Sequence, residues 1–109
     1  MLKGYSVNIK GTEYMVPPLS LGLLRSGALD MLREHDKLVE AGDSFGYMEL
    51  RGKIILLALR RNYPEFPEEM LFDFLDLSNV GTIWLSILGA SGFSPGEEVA
   101  AAKTEEPGT

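Results

Sequence analysis

The sequence predicts a mainly α domain: an N-terminal β-hairpin, a compact bundle of about four helices and a mobile C-terminal tail. Three observations predict it. Residues 4–16 alternate polar and apolar side chains around a Lys-Gly break. Residues 21–88 carry apolar side chains at steps of three and four, punctuated by glycine and proline. From Phe93 onward the apolar pattern stops. The chain has 109 residues, a length suited to one domain. Its 45% hydrophobic content is enough to build a core. The domain is therefore placed over 1–92 and a flexible acidic tail over 93–109.

The hairpin comes first. Tyr5, Val7 and Ile9 point one way, and Ser6, Asn8 and Lys10 point the other. Beyond Gly11 the alternation resumes, with Tyr14 and Val16 against Glu13 and Met15. Period two marks half-buried strands. Gly11 supplies the positive φ that a tight turn needs. Pro17-Pro18 ends the hairpin, because proline donates nothing to a ladder. An isolated hairpin is marginal in water, so this one must lie on helices or pair with another chain.

Ser20 is the expected N-cap of a helix over about 21–41, with Leu21, Leu24, Ala28, Leu32 and Leu38 along its apolar face and Leu29 and Val39 beside them. Gly42 is its expected terminator. A second helix is expected from near Ser44 to about Asn62. Leu50, Ile54, Leu57, Ala58 and Arg61 share a face, and Ile55 and Leu59 widen it. A helix apolar over most of its girth sits centrally. Arg60-Arg61 falls in its last turn, where cations favour the negative end of the helix dipole.

Tyr63-Pro64 breaks the chain. Pro67 is expected at the first position of a third helix, followed by Glu68 and Glu69, which suit its positive end. Its apolar face is Met70, Leu71, Phe74 and Leu75. Asp76 or Ser78 is expected to cap a fourth helix carrying Val80, Ile83, Trp84, Ile87 and Leu88, with Gly89 and Gly92 at its end. The tail beyond Phe93 has too little apolar surface to offset chain entropy, and mobility is expected of it.

Charge narrows the function classes. Ten basic residues face sixteen acidic ones, for a net charge of −6. Nucleic-acid binding draws its affinity from Lys and Arg on phosphates, so no nucleic-acid partner is expected. Anionic membrane surfaces are disfavoured for the same reason. No stretch approaches the ~20 apolar residues of a membrane span, and the N-terminus has no apolar signal core. A soluble cytoplasmic protein is expected. Cysteine is absent, which removes disulfides, thiol catalysis and thiolate metal sites.

No residue set points to an enzyme or a cofactor. His35, the sole histidine, sits among charged residues and is expected at the surface or boundary. Glu69, Asp73 and Asp76 share a helical face and read as solvated acids, since no calcium-type loop accompanies them. Arg51, Lys53, Arg60 and Arg61 cluster on the second helix. Arg60 and Arg61 are expected to pair with Glu65, Glu68 or Glu69. Neither Ser26-Gly27 nor Ser91-Gly92 lies in a G-x-S-x-G setting, and Gly89-Ala90-Ser91-Gly92 follows a helix instead of opening one, which is wrong for a phosphate. Interaction features remain: a hairpin with an open edge, an apolar second helix, and the aromatic set Phe66, Phe72, Phe74 and Trp84. Phe72 falls outside the Leu71–Phe74–Leu75 stripe and is expected as an exposed contact. Tyr5, Tyr14, Tyr47 and Phe72 are the candidate partner-binding residues.

The order of parts carries a resemblance. A Y-x-V hairpin leads into Tyr14-Met15-Val16-Pro17-Pro18-Leu19. The second helix closes on Ala58-Leu59-Arg60-Arg61-Asn62-Tyr63-Pro64-Glu65, and Leu75-Asp76-Leu77-Ser78-Asn79-Val80 opens the last. Over residues 5–92 this resembles the small tail assembly chaperones of long-tailed bacteriophages and prophages. The resemblance implies a mainly helical, non-enzymatic protein without cofactors that binds the tape measure protein, keeps it soluble and helps recruit tail tube subunits. It implies action in the host bacterial cytoplasm and absence from the finished virion. In many relatives a ribosomal frameshift near the end of the reading frame adds a second domain, so self-association or a longer form is a further implied partner. Tyr63-Pro64 matches the family's N-Y-P turn. Two other readings stand beside this one: a minor tail or connector protein retained in the virion, and a small regulatory nucleic-acid binder.

Overall fold

Lys10 and Gly11 turn the chain between β1 (Tyr5–Ile9) and β2 (Thr12–Val16). Both hold positive φ, 53° and 87°, a turn whose twist matches that of the strands it joins. The side-chain oxygen of Asn8 accepts the Gly11 N–H at 3.0 Å. The strands pair antiparallel, with Tyr5 opposite Val16, Val7 opposite Tyr14 and Ile9 opposite Thr12. Val7, Ile9 and Val16 are buried, whereas Ser6, Asn8 and Lys10 are exposed. The alternation read from the sequence is thus the in–out pattern of β1, whereas on β2 Tyr14 and Met15 are both half-buried. The computed structural model describes residues 1–91, so the tail expected over 93–109, and Gly92 as a helix end, lie outside the described residues.

Four helices follow the hairpin, the first of them broken. Ser20 caps it, accepting the Leu23 N–H at 3.1 Å. The turn α1 (Leu21–Leu23) passes through a π segment (Leu24–Ala28) into α2 (Leu29–Ala41). This corrects the continuous helix expected over 21–41. Gly27 sits at φ 138°, a conformation closed to most L-residues, and the helix kinks there. The break also removes Leu21 from the apolar stripe, leaving it 82% exposed. Leu29 and Val39 are exposed as well. Gly42, at φ 76°, ends α2 as expected, with its N–H on the Val39 carbonyl and the next N–H, of Asp43, on that of Leu38.

The central helix is α3 (Ser44–Leu59), capped by the Asp43 carboxylate on the Gly46 N–H at 3.0 Å. It packs against α2, β2 and the two helices that follow. Four-sided packing accounts for its apolar girth. Ile54, Ile55, Leu56, Ala58 and Leu59 are all buried, while Leu50, Leu57 and Arg61, expected on the principal face, are only half-buried. The helix stops three residues before Asn62, and residues 60–62 form turns.

Arg60 and Arg61 do not pair with the nearby glutamates. Arg60 donates through Nε and Nη2 to the Phe66 carbonyl at 3.0 and 2.7 Å, and Arg61 donates to the Pro18 carbonyl at 2.6 Å. A guanidinium fork satisfies a half-buried carbonyl that would otherwise lack a partner. These arginines therefore fasten loops.

Pro67 is the N-cap of α4 (Glu68–Phe74), one position earlier than expected. The link to α5 (Val80–Ala90) is a turn built on Asp76. The Asp76 carboxylate accepts from the Ser78 N–H at 2.8 Å, the Ser78 hydroxyl at 2.6 Å and the Asn79 N–H at 3.1 Å. Asn79 occupies the cap position itself. Gly89 lies within the helix, which continues to Ala90, so it does not terminate α5. The Ser91 hydroxyl accepts the Leu19 N–H at 2.8 Å and ties the end of α5 to the hairpin exit. Trp84, Ile87 and Leu88 join Val7, Ile9, Ile54 and Leu59 in one core. Among the described residues no helix is long and apolar enough to cross a membrane.

Candidate functional site

Two places on this frame gather unusual chemistry. The first is a buried polar cluster between α2, α3 and α5. His35, expected at the surface, is 1% exposed. Its position extends the Ala28–Leu32 stripe by three residues, a spacing that the surrounding charges mask. Arg51 Nε donates to His35 Nε2 at 3.0 Å. An arginine only donates, so Nε2 is the acceptor and the ring proton sits on Nδ1. Nδ1–H then donates to Asp36 Oδ1 at 3.1 Å. Burial holds the imidazole below its ordinary pKa, Asp36 opposes that shift and the Arg51 charge adds to it. His35 is accordingly neutral and structural.

The same guanidinium lies 4.8 Å from the Tyr47 ring centre and 5.4 Å from that of Trp84. The His35 ring packs at 4.8 Å from Trp84 and 5.8 Å from Tyr47. Arg51 is thus held by two π faces and one imidazole nitrogen. Trp84 Nε1 is buried without a hydrogen-bond partner among the described residues.

The second place is an apolar groove between α3 and the α4–α5 turn, with a volume of about 360 Å³. Met48 and Gly52 form its floor on α3, and Phe72, Leu75 and Val80 form the opposite wall. Phe45 and Leu77 stand at its mouth, 77% and 81% exposed. Gly52 creates the depth. A Cβ there would lie 2.7 Å from Phe72 Cζ, so only glycine lets that ring lie down against α3. The charged residues lining the groove, Glu49 and Asp76, are both acidic and exposed. Hydrogen bonds from Ser78 hold the Asp76 carboxyl below its ordinary pKa, so it is ionised at neutral pH.

The four candidate contact residues fall in different places. Phe72 lines the groove and is half-buried, not projecting freely. Tyr47 is half-buried and belongs to the polar cluster. Tyr14 meets Tyr63 and Phe66 edge-to-face, each at 5.0 Å, and fixes the hairpin to the turn after α3. Tyr5 is half-buried against the core. The structure therefore brings none of the other three to Phe72. Phe45, Met48 and Leu77 were not singled out in the sequence. Phe45 and Leu77 had a signal: large apolar residues beside polar turns, outside the helical stripes.

The hairpin edges differ. On β2, Met15 N–H donates to the Tyr63 hydroxyl at 3.0 Å and the Met15 carbonyl accepts from Asn62 Nδ2 at 2.9 Å, which closes that edge. Met15 faces Ser6, so the corresponding backbone groups of Ser6 point outward from β1, and by alternation so do those of Asn8. They have no protein partner among the described residues. The acidic set is dispersed: Asp73 lies 3.5 Å from Lys10, and Asp76 builds its turn. Among the described residues no group of three or more His, Asp or Glu could hold a metal ion.

No family model, no curated protein and no solved structure matches this chain.

Proposed function

We propose that this chain is a non-enzymatic tail assembly chaperone of a long-tailed bacteriophage or prophage. It binds the tape measure protein, keeps it soluble in the host cytoplasm and helps recruit tail tube subunits, without entering the mature virion. The observation that carries this reading is the open apolar groove, whose mouth keeps Phe45 and Leu77 in water. A monomer with no partner gains by covering such residues, whereas a transient binder must leave them available. Two features add support. The order of hairpin, central apolar helix and Asn62-Tyr63-Pro64 turn is the order on which the resemblance rests. A net charge of −6 keeps a complex with an apolar client soluble and opposes nonspecific association.

The test is co-expression with the tape measure protein encoded alongside it, followed by pull-down on a tag carried by this chain. Recovery of the tape measure protein in the soluble fraction, together with absence of this chain from purified virions by mass spectrometry, is the expected result. Presence of this chain in virions at a fixed stoichiometry would favour a retained minor tail or connector protein instead.

A further inference from the structure

The groove's lining constrains what fits it. We infer that it takes an amphipathic helix whose apolar anchors are bracketed by lysine or arginine. This deepens the proposed function, because it names the chemistry of the client segment, and it rests on that reading for the client's identity alone.

Three observations lead there. The walls are the side of α3, the α4 face bearing Phe72 and the turn leading into α5. No strand edge borders the groove, since the hairpin packs elsewhere on α3 and α5. The backbone of the Asp76–Asn79 turn is already engaged: Asn79 N–H donates to the Asp76 carbonyl and Ser78 N–H to the Asp76 carboxylate. An extended peptide would find few main-chain partners there, whereas a helix brings its own hydrogen bonds and needs only side-chain pockets. The volume of about 360 Å³ lies at the small end of ligand clefts, which suits a few anchor side chains.

Charge selects among the helices. Glu49 and Asp76 are the acidic residues lining the groove, and no lining residue is basic. A second copy docked groove to groove would bring carboxylates against carboxylates. The chain's own residues 92–109 carry four glutamates against one lysine, so charge also counts against them as an occupant. A helix with Lys or Arg beside its anchors meets the rim with opposite charge. Glu49 makes no side-chain hydrogen bond or ion pair among the described residues, so its carboxylate is free for this role.

The experiment uses the full chain and two synthetic 18-residue helical peptides with one shared leucine stripe, flanked by lysine in one and glutamate in the other. Fluorescence anisotropy at low and high salt gives the affinities, and methyl NMR gives the site. The lysine peptide is expected to bind about fivefold more tightly, the scale of two exposed ion pairs, with the difference shrinking at high salt. It should shift the methyls of Met48, Leu75 and Leu77. Glu49→Lys should remove the preference, and Leu77→Asp should weaken both peptides; both positions are exposed, and circular dichroism checks that the variants fold. Equal affinities, shifts confined to other surfaces, or no binding of either peptide would overturn the inference. If the lysine peptide binds in the groove but the tape measure protein is not solubilised on co-expression, the chaperone reading falls and the groove chemistry stands. If the tape measure protein is solubilised equally by wild type and Leu77→Asp, only the groove inference falls.

Discussion

Replacing Arg51 by alanine should destabilise the domain by about 3 kcal/mol, and each part of that figure has a structural source. Truncation leaves His35 Nε2 buried without its donor, a loss of roughly 1–3 kcal/mol for an unsatisfied polar atom. It removes a cation from the faces of Tyr47 and Trp84, worth roughly 0.5–2 kcal/mol in a half-buried setting. The aliphatic stem also leaves its packing against the rings. Urea unfolding followed by Trp84 fluorescence is the natural assay, because this single tryptophan packs directly on the cluster. With a urea slope of about 1.5 kcal/mol per molar, the midpoint should fall by about 2 M. Arg51→Lys should recover part of the loss, since it keeps the charge but not the planar Nε donor. Lys53→Ala, two residues away and exposed, is the control and should move the midpoint by less than about 0.5 M. An Arg51→Ala midpoint indistinguishable from the control would refute the assignment of Arg51 as the clamp of this cluster.

Three further outcomes follow from the same geometry. Burial lowers the folded-state pKa of His35 below its ordinary 6.5, so between those values the unfolded chain binds the extra proton; stability should fall as pH drops below about 6.5, and His35→Gln should flatten that slope in urea midpoints measured from pH 7.5 to 5. Gly4→Ala should destabilise by about 2 kcal/mol, because the added Cβ would collide with the Val16 carbonyl and the Pro17 backbone and force the chain before β1 to shift; thermal melts should show it. Asn62→Ala removes the side chain that bonds the Leu2 N–H, the Leu2 carbonyl and the Met15 carbonyl, so faster amide exchange at residue 2 and a loss of about 1–2 kcal/mol are expected.

What could be read in the sequence was local. The Lys10-Gly11 turn, the Ser20 cap, the Gly42 terminator and the break before Pro67 each depend on the conformational habits of one or two residues. The apolar girth of α3 announced a central helix, which is where it lies. What escaped depends on partners far apart in the chain. His35 looked exposed because its immediate neighbours are charged, yet Arg51, sixteen residues on, supplies the bond that makes its burial tolerable. Arg60 and Arg61 looked like partners for glutamates and instead serve the carbonyls of Phe66 and Pro18. The groove depends on an absence: Gly52 carries no side chain to draw notice, and its purpose emerges only when Phe72 settles against it. Tyr5, Tyr14 and Tyr47 stood out as aromatic residues, but their half-buried packing spends that surface within the domain.

The most direct measurement is the soluble fraction of the tape measure protein when co-expressed with the wild-type chain and with a Phe45→Asp/Leu77→Asp double variant. Both positions are exposed, so the variant should fold, and its melting temperature verifies this. If the chain shields a client's apolar surface through the groove, the wild type raises the soluble fraction several-fold and the double variant returns it to the level without any chaperone. A well-folded double variant that solubilises the client as fully as the wild type would contradict the account.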